Sequence, residues 1–383
     1  MRLSYLSYLF KKIKEGDILI VPRIVYRYLA LYLSRKLGKS LTGPLHGTII
    51  ANYNCNLRCG MCDLWKRPSS YSKDGKIGLT TLEMKKLIDD YKAIGTTGIG
   101  FTGGEPLLRK DMLDLISYCN KKGILTHLST NGFVIDKIMA EKIIKSRLDS
   151  ISFSLDGVDA KIHDKSRGVK GSYDKVIQAL KNMIKLKKQL KSNIVIIVVC
   201  LISKNNLDQV LDLIDLLKKI GIDNISFIPF HDIGLLAKGK ETMSSFKIKE
   251  DEINKLDKLI DELIKIRKKQ KIIENSSNYL ELFKSCFRGL PLPIKCYAGY
   301  VTIAVDGYGD IYPCFPRAEI GKAPELGVAQ NPINIRDVSL KKYWYSNHLK
   351  EVRKDIKNCR KCYWNNQTEI NLLFNKPKSN QII

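Results

Sequence analysis

The sequence predicts an α/β fold built on a parallel sheet, and three observations predict it. Short apolar runs recur at 48–52, 98–102, 126–130, 151–155, 194–201 and 225–229, each the length of a buried strand. Between them lie stretches of helical period at 82–94, 111–122, 136–146, 173–188 and 207–220, and such an alternation requires right-handed crossovers between parallel strands. The run at 194–199 is apolar at every position, as expected where both sheet faces are covered.

Residues 1–40 are a basic, tyrosine-rich lead-in. Leu3, Leu6, Leu9, Phe10 and Ile13 are mixed with Lys11, Lys12 and Lys14, and the apolar stretch 18–33 carries Pro22, Arg23 and Arg27. A bilayer span needs about 20 mostly uncharged residues, which this stretch does not supply. One or two amphipathic helices are expected instead, lying at a membrane interface or packed on the rest of the protein. The first helix of the repeating part opens with Thr80-x-x-Glu83, a capping box. A lysine-rich helical connector follows the sixth strand over 231–285, with a helical period at 253–266; from Cys286 onward cysteine, glycine, proline and aromatics return. The expected domains are therefore an extension at 1–46, a core at 47–230, the connector, and a small domain at 286–383.

At 383 residues the chain can bury a sizeable core. Its formal charge of +26 suits an anionic partner such as nucleic acid, a membrane surface or an acidic substrate. It equally suits lysines such as Lys185, Lys187, Lys188 and Lys191 on solvated helix faces. Ten cysteines are present without a cleavage site of small residues near the N-terminus. Their spacings are those of metal sites, so a reducing, cytoplasmic setting is expected, with peripheral contact at the inner membrane face through residues 1–40.

The densest chemistry lies directly after the first strand. Cys55, Cys59 and Cys62 are spaced C-x3-C-x2-C, and thiolates so crowded either cross-link or share a soft metal. Three ligands on a cubane leave one iron open to another group. After the second strand comes Thr102-Gly103-Gly104-Glu105-Pro106, where glycines permit close backbone approach and a carboxylate can accept from an ammonium. Strands three and four end in Ser129-Thr130-Asn131-Gly132 and Ser152-Phe153-Ser154, small hydroxyls that suit the mouth of a barrel. Near the C-terminus Cys296, Gly309 and Cys314 form C-x12-G-x4-C, and Cys359-x2-Cys362 follows. The segments 301–305 and 310–312, around Asp306-Gly307-Tyr308-Gly309, read as a β-hairpin.

These motifs resemble the radical S-adenosylmethionine (SAM) superfamily. The resemblance implies a partial (βα)6 radical SAM barrel with a small C-terminal auxiliary-cluster domain and a helical N-terminal extension. It implies a [4Fe-4S] cluster on Cys55, Cys59 and Cys62 whose open iron chelates SAM. Reductive cleavage to a 5'-deoxyadenosyl radical and hydrogen abstraction from a substrate would follow. Gly103, Gly104 and Glu105 match the motif that grips the SAM amino group. Ser154 matches a SAM contact and Thr130 a position that faces SAM or substrate; Ser152 alternates onto the same side as Ser154 and is the second candidate. Arg167 would pair with the SAM carboxylate, and Ile228 would wall the adenine pocket. Met61 stands where the family usually has an aromatic residue and can fill the same space. The tail resembles the SPASM and Twitch regions. A full SPASM domain uses seven cysteines for two clusters, whereas four fit here, so one auxiliary [4Fe-4S] cluster on Cys296, Cys314, Cys359 and Cys362 is implied, with Cys286 a spare. Cys119 and Cys200 read as small core residues.

The function implied is that of a radical SAM oxidoreductase or maturase supplied by a low-potential donor of the flavodoxin or ferredoxin kind. Its substrate would be a peptide or protein, or a lipid-like or other small molecule. The stretch ahead of the first strand is too short and too helical for a leader-peptide-binding domain. The alternative is a non-catalytic protein in which cysteine pairs hold zinc and the basic surface meets nucleic acid; it leaves the G-G-E-P loop and the strand-end serines without a role.

Overall fold

The computed structural model describes residues 19–66, 78–230, 244–320, 332–360 and 362–375. Residues 1–18 of the expected N-terminal extension, and 231–243 at the start of the connector, lie outside them. Helix α1 (Ile20–Leu37) precedes β1 (His46–Ile50). Then come α2 (Thr81–Ala93), β2 (Gly98–Thr102), α3 (Met112–Lys121), β3 (Leu125–Thr130), α4 (Lys137–Lys145) and β4 (Ser150–Ser154). Two helices, α5 (Ala160–Arg167) and α6 (Ser172–Gln189), lead to β5 (Val195–Ile202), and α7 (Val210–Ile220) leads to β6 (Asn224–Pro229).

All six expected strands are present and parallel, in the order β6-β5-β4-β3-β2-β1. Their helices begin where the sequence supplies caps. The Thr80 hydroxyl accepts from Glu83 N while Thr80 N donates to the Glu83 carboxylate, and Asp136 and Asp159 accept from Met139 N and Ile162 N. Helix α5 is an addition to the sequence reading, which had left the residues around His163 to Gly168 without an element. Asp159 opens it, and Gly168 closes it with a positive φ of 70°.

Outward-facing strand residues such as Ile49, Phe101, Leu128, Ile151 and Phe153 are buried under Leu87, Ile116, Ile143, Leu180 and Met183 from the helices, each such side chain worth roughly 1.5–3 kcal/mol. Gly47 has no side chain because the Tyr91 ring occupies that space: a Cβ would stand 2.4 Å from its Cε1. The inward row is different. Thr48, Gly100, His127 and Ser150 stand side by side across four strands, so the concave face is small and polar.

The connector contributes α8 (Ile253–Gln270) and α9 (Ser277–Phe287). The expected hairpin is β7 (Thr302–Val305) and β8 (Ile311–Tyr312), antiparallel to each other. Here the structure adds something: β7 pairs in parallel with β1, His46 opposite Thr302 and Ile49 opposite Val305. The C-terminal region therefore continues the core sheet to eight strands, with β6 and β8 at its edges. Among the described residues, the helices after β8 are α10 (Phe315–Ile320), α11 (Leu340–Trp344), α12 (Asn347–Lys357) and α13 (Asn365–Leu372).

Candidate active site

The loop after β1 is held from two sides. Gly104 N donates to Asn52 O and Glu105 N to Asn54 O, while Arg58 N and Gly60 N donate to Arg167 O and Ser166 O at the end of α5. This brings Cys55, Cys59 and Cys62 onto the wall of one cavity of about 260 Å³ at the C-terminal strand ends, where parallel α/β sheets place their ligands. Gly103, Gly104, Thr130, Ser152, Ser154, Arg167 and Ile228 line the same cavity, as does Met61.

Several of the residues expected at SAM have protein partners of their own. Glu105 is absent from the lining of this cavity. Its carboxylate is fully buried and accepts from Thr130 Oγ1, Leu107 N and Asn131 N, so it ties together the ends of β2 and β3. The glycines of the motif pack directly on the backbone leading into the cysteine loop: a Cβ on Gly103 would lie 2.3 Å from Asn52 O, and one on Gly104 2.2 Å from Asn54 O. Arg167 already has a fork partner, since its Nε lies 2.8 Å from Asp156 Oδ2 and its Nη2 donates to Oδ1 at 2.9 Å. Its free edge faces Cys59, with which it shares a hydrogen bond. Among the hydroxyls, Ser152 Oγ is within 3.1 Å of His127 Nε2 and donates to Ser129 Oγ at 3.3 Å, leaving Ser154 as the less committed of the pair.

Beside this cavity lies a smaller chamber of about 60 Å³, lined by His46, Thr48, His127, Ser129, Thr302 and Gln367, with Phe315, Trp364 and Asn366 of the C-terminal region among its other walls. Residues Thr102, His127, Ser129, Phe315, Trp364 and Asn366 border both spaces. Neither ring nitrogen of His46 finds a hydrogen-bond partner, although the residue is buried. Burial holds its pKa at about 4 and that of His127 at about 3, so both imidazoles are neutral. The sequence reading passed over these histidines. The period-two recurrence of His46 and Thr48, then His127 and Ser129, between buried apolar residues was the signal that could have found them.

None of the ten cysteines is in a disulfide. Sγ of Cys55, Cys296 and Cys362 each accepts from the backbone N–H two residues ahead, Leu57, Ala298 and Trp364. Such N–H···S contacts favour thiolate and tune a bound cluster. Burial pushes the Cys55 thiol up to about 11, a cost that a soft cation offsets. In the tail, Cys359 lies in hydrogen-bond contact with Cys296, and that bond, with burial, pushes the Cys296 thiol well up; Cys314 is close to both. Cys286 packs with Leu282, Leu292, Ile294 and Tyr363, while Cys119 and Cys200 are fully buried in the core. Among the described residues no three His, Cys, Asp or Glu side chains gather around a single metal-ion position. The backbone N–H donors at Cys55, Cys296 and Cys362 are of the kind that suit a thiolate-held iron–sulfur group.

Comparison with known proteins agrees. The Radical SAM superfamily matches residues 49–199, and the iron-sulfur cluster-binding domain SPASM matches residues 296–363. The chain is 39% identical over 128 residues to the Fe-coproporphyrin III synthase of Methanosarcina barkeri, covering 33% of this chain and 31% of that protein. It is 25% identical over 307 residues to the AdoMet-dependent heme synthase of the same organism, covering 76% and 79%. It is 32% identical over 163 residues to the mycofactocin maturase MftC of Mycolicibacterium smegmatis, covering 43% and 38%. Among solved structures the fold is shared with SuiB of Streptococcus suis, at a TM-score of 0.64 and 20% identity over 91% of this chain and 79% of that one. It is shared too with anSMEcpe, at 0.58 and 21% over 85% and 88%. Residues 49–199 thus match the radical SAM superfamily and residues 296–363 an iron–sulfur cluster-binding SPASM domain, matches that the zinc-holding, nucleic-acid-binding alternative does not account for; the aligned stretch spans about a third of the Fe-coproporphyrin III synthase's length.

Proposed function

We propose that the chain is a radical SAM oxidoreductase acting on a peptide or protein, and that Cys55, Cys59 and Cys62 hold the SAM-binding cluster. Gly103, Gly104, Ser154 and Ile228 shape the SAM cavity around it, and Cys296, Cys314, Cys359 and Cys362 hold one auxiliary [4Fe-4S] cluster. With cluster and SAM bound, the chemistry supplied is one-electron cleavage of the sulfonium and removal of a hydrogen atom from substrate. The chain's own residues position and shield. Arg167, fixed by Asp156, tethers the cysteine loop; Glu105 fixes the ends of β2 and β3; Phe315 and Trp364 close the wall on the C-terminal side.

The observation that carries the substrate class is the inner chamber. None of its described lining residues is Asp, Glu, Lys or Arg, and both histidines are neutral. A narrow, uncharged, hydrogen-bonding space suits one amino-acid side chain or backbone amide of a peptide. It does not suit the several carboxylates of a tetrapyrrole, which would need cationic partners. The peptide bound to SuiB and the maturase role of MftC support this class by analogy. A low-potential donor of the flavodoxin or ferredoxin kind, and attachment to a membrane through residues 1–40, complete the reading.

The test is isotopic. Reconstituted protein with SAM and dithionite is offered either a perdeuterated peptide hydrolysate or a perdeuterated lipid extract, and the 5'-deoxyadenosine formed is weighed. Deuterium acquired from the peptide pool is expected; label acquired from the lipid pool alone overturns the peptide assignment.

A further inference from the structure

Helix α1 carries Val21, Val25, Leu29, Leu33 and Leu37 at strict four-residue spacing, and each of the five is between 43% and 60% exposed. A spacing of four follows one inclined row that turns about 40° around the helix at each step, so the five together cover one side of it. Tyr26, 65% exposed, and Ile24 widen it. Five aligned half-bare aliphatics are unlike the scattered exposed apolar residues of ordinary surfaces. The opposite side of the helix is firmly docked. Leu31 packs with Tyr297, Val301 and Ile370; Arg35 Nε donates to Cys296 O at 2.7 Å, and Tyr28 OH donates to Leu373 O at 2.9 Å. The ridge is thus held outward by a fixed support.

What surrounds the ridge is cationic. Between Asp17 and Asp63 the sequence has no acidic residue, while Arg23, Arg27, Arg35, Lys36 and Lys39 fall within it. Arg23, Lys36 and Lys39 are exposed. No described helix is long and apolar enough to cross a bilayer. An apolar ridge flanked by cations on a helix that does not span is the chemistry of a helix lying in a headgroup layer, aliphatics toward the acyl chains and cations among anionic headgroups.

We infer that the outer ridge of α1 docks the protein on an anionic lipid surface. This deepens the membrane attachment included in the proposed function and does not depend on its chemistry. The placement has a consequence for the enzyme, because the same helix touches the backbone of Cys296: the auxiliary-cluster side of the molecule would face the membrane.

The experiment is flotation of the full-length chain with vesicles of phosphatidylcholine alone and of phosphatidylcholine with phosphatidylglycerol. Three proteins are compared: the wild type, Val25→Asn with Leu29→Asn, and a form lacking residues 1–18. The wild type is expected to float with the anionic vesicles at least about ten-fold better than with the neutral ones. The double variant is expected to lose that binding while keeping wild-type circular dichroism and iron content, and the form lacking 1–18 to retain most of it. Binding unaltered in the folded double variant overturns the inference. So does binding abolished by removing 1–18 with the ridge intact, or a wild-type dimer in solution that the double variant dissociates. SAM cleavage measured without vesicles reports separately on the enzyme, so failure of one reading is distinguishable from failure of the other.

Discussion

Asp156 grips Arg167 along one edge, with Nε 2.8 Å from Oδ2 and Nη2 donating to Oδ1 at 2.9 Å, and the pair joins the end of β4 to the end of α5, whose backbone holds the cysteine loop. Asp156 also accepts from Ser166 Oγ and Leu201 N. Burial opposes its charge, but Arg167 and His163 outweigh burial and hold its carboxyl below the usual value. Removing one member of such a buried pair leaves the other uncompensated. Asp156→Ala is therefore predicted to cost about 3–5 kcal/mol, read from denaturant unfolding of the apo-protein, with loss of bound iron in parallel. A loss under about 1 kcal/mol would mean that the pair behaves as an exposed one.

The glycine motif makes a steric prediction. A Cβ on Gly104 would fall 2.2 Å from Asn54 O and 2.8 Å from Tyr53 O, and backbone cannot yield as a flexible side chain does. Gly104→Ala is predicted to displace the loop that bears Cys55, at about 1–3 kcal/mol and with reduced iron per chain on reconstitution. Normal iron content in that variant would show that the loop tolerates the shift.

Much of this architecture was legible because the local signals agree with one another. Apolar runs, the Thr80 capping box and the three-cysteine loop each constrain one element, and each stands where expected. What was not legible depended on contacts between distant segments. Nothing near Glu105 in the sequence announces that Thr130 and Asn131 will consume its carboxylate, and nothing near Arg167 announces Asp156, eleven positions earlier on another element. The same holds for β7. Its apolar residues fit a hairpin, but pairing with β1 is a long-range choice that a two-residue period cannot express. His46 was passed over because a single histidine at a strand start is ordinary until Gly100 and His127 are seen to leave it an unpartnered pocket.

The inner chamber predicts a pH dependence. An unfolded histidine has its ordinary value of 6.5, while burial holds folded His46 at about 4. The folded state thus favours the neutral ring. Its contribution to stability is complete above pH 6.5 and is lost as pH falls toward 4, by up to about 3 kcal/mol at 1.36 kcal/mol per unit. Because His127 and His163 are also held low by burial, they add losses in the same direction. His46→Gln should shrink the acid loss between pH 6.5 and 4 in a series of guanidinium melts. An unchanged pH slope would indicate that His46 is hydrated in the native state.

The auxiliary site predicts a division among the tail cysteines. Cys296→Ala or Cys314→Ala should remove about four irons per chain, the content of one cubane, and leave SAM cleavage measurable. Cys286→Ala, set in an apolar cluster with Leu282 and Ile294, should leave iron content unchanged. Iron lost from the Cys286 variant as well would assign it as a ligand.

The most direct measurement is 5'-deoxyadenosine formed from SAM and dithionite by anaerobically reconstituted protein, set beside a variant with Cys55, Cys59 and Cys62 all changed to alanine. The account predicts steady formation by the wild type and none above background by the variant, with auxiliary iron retained. Formation persisting in the variant would contradict it.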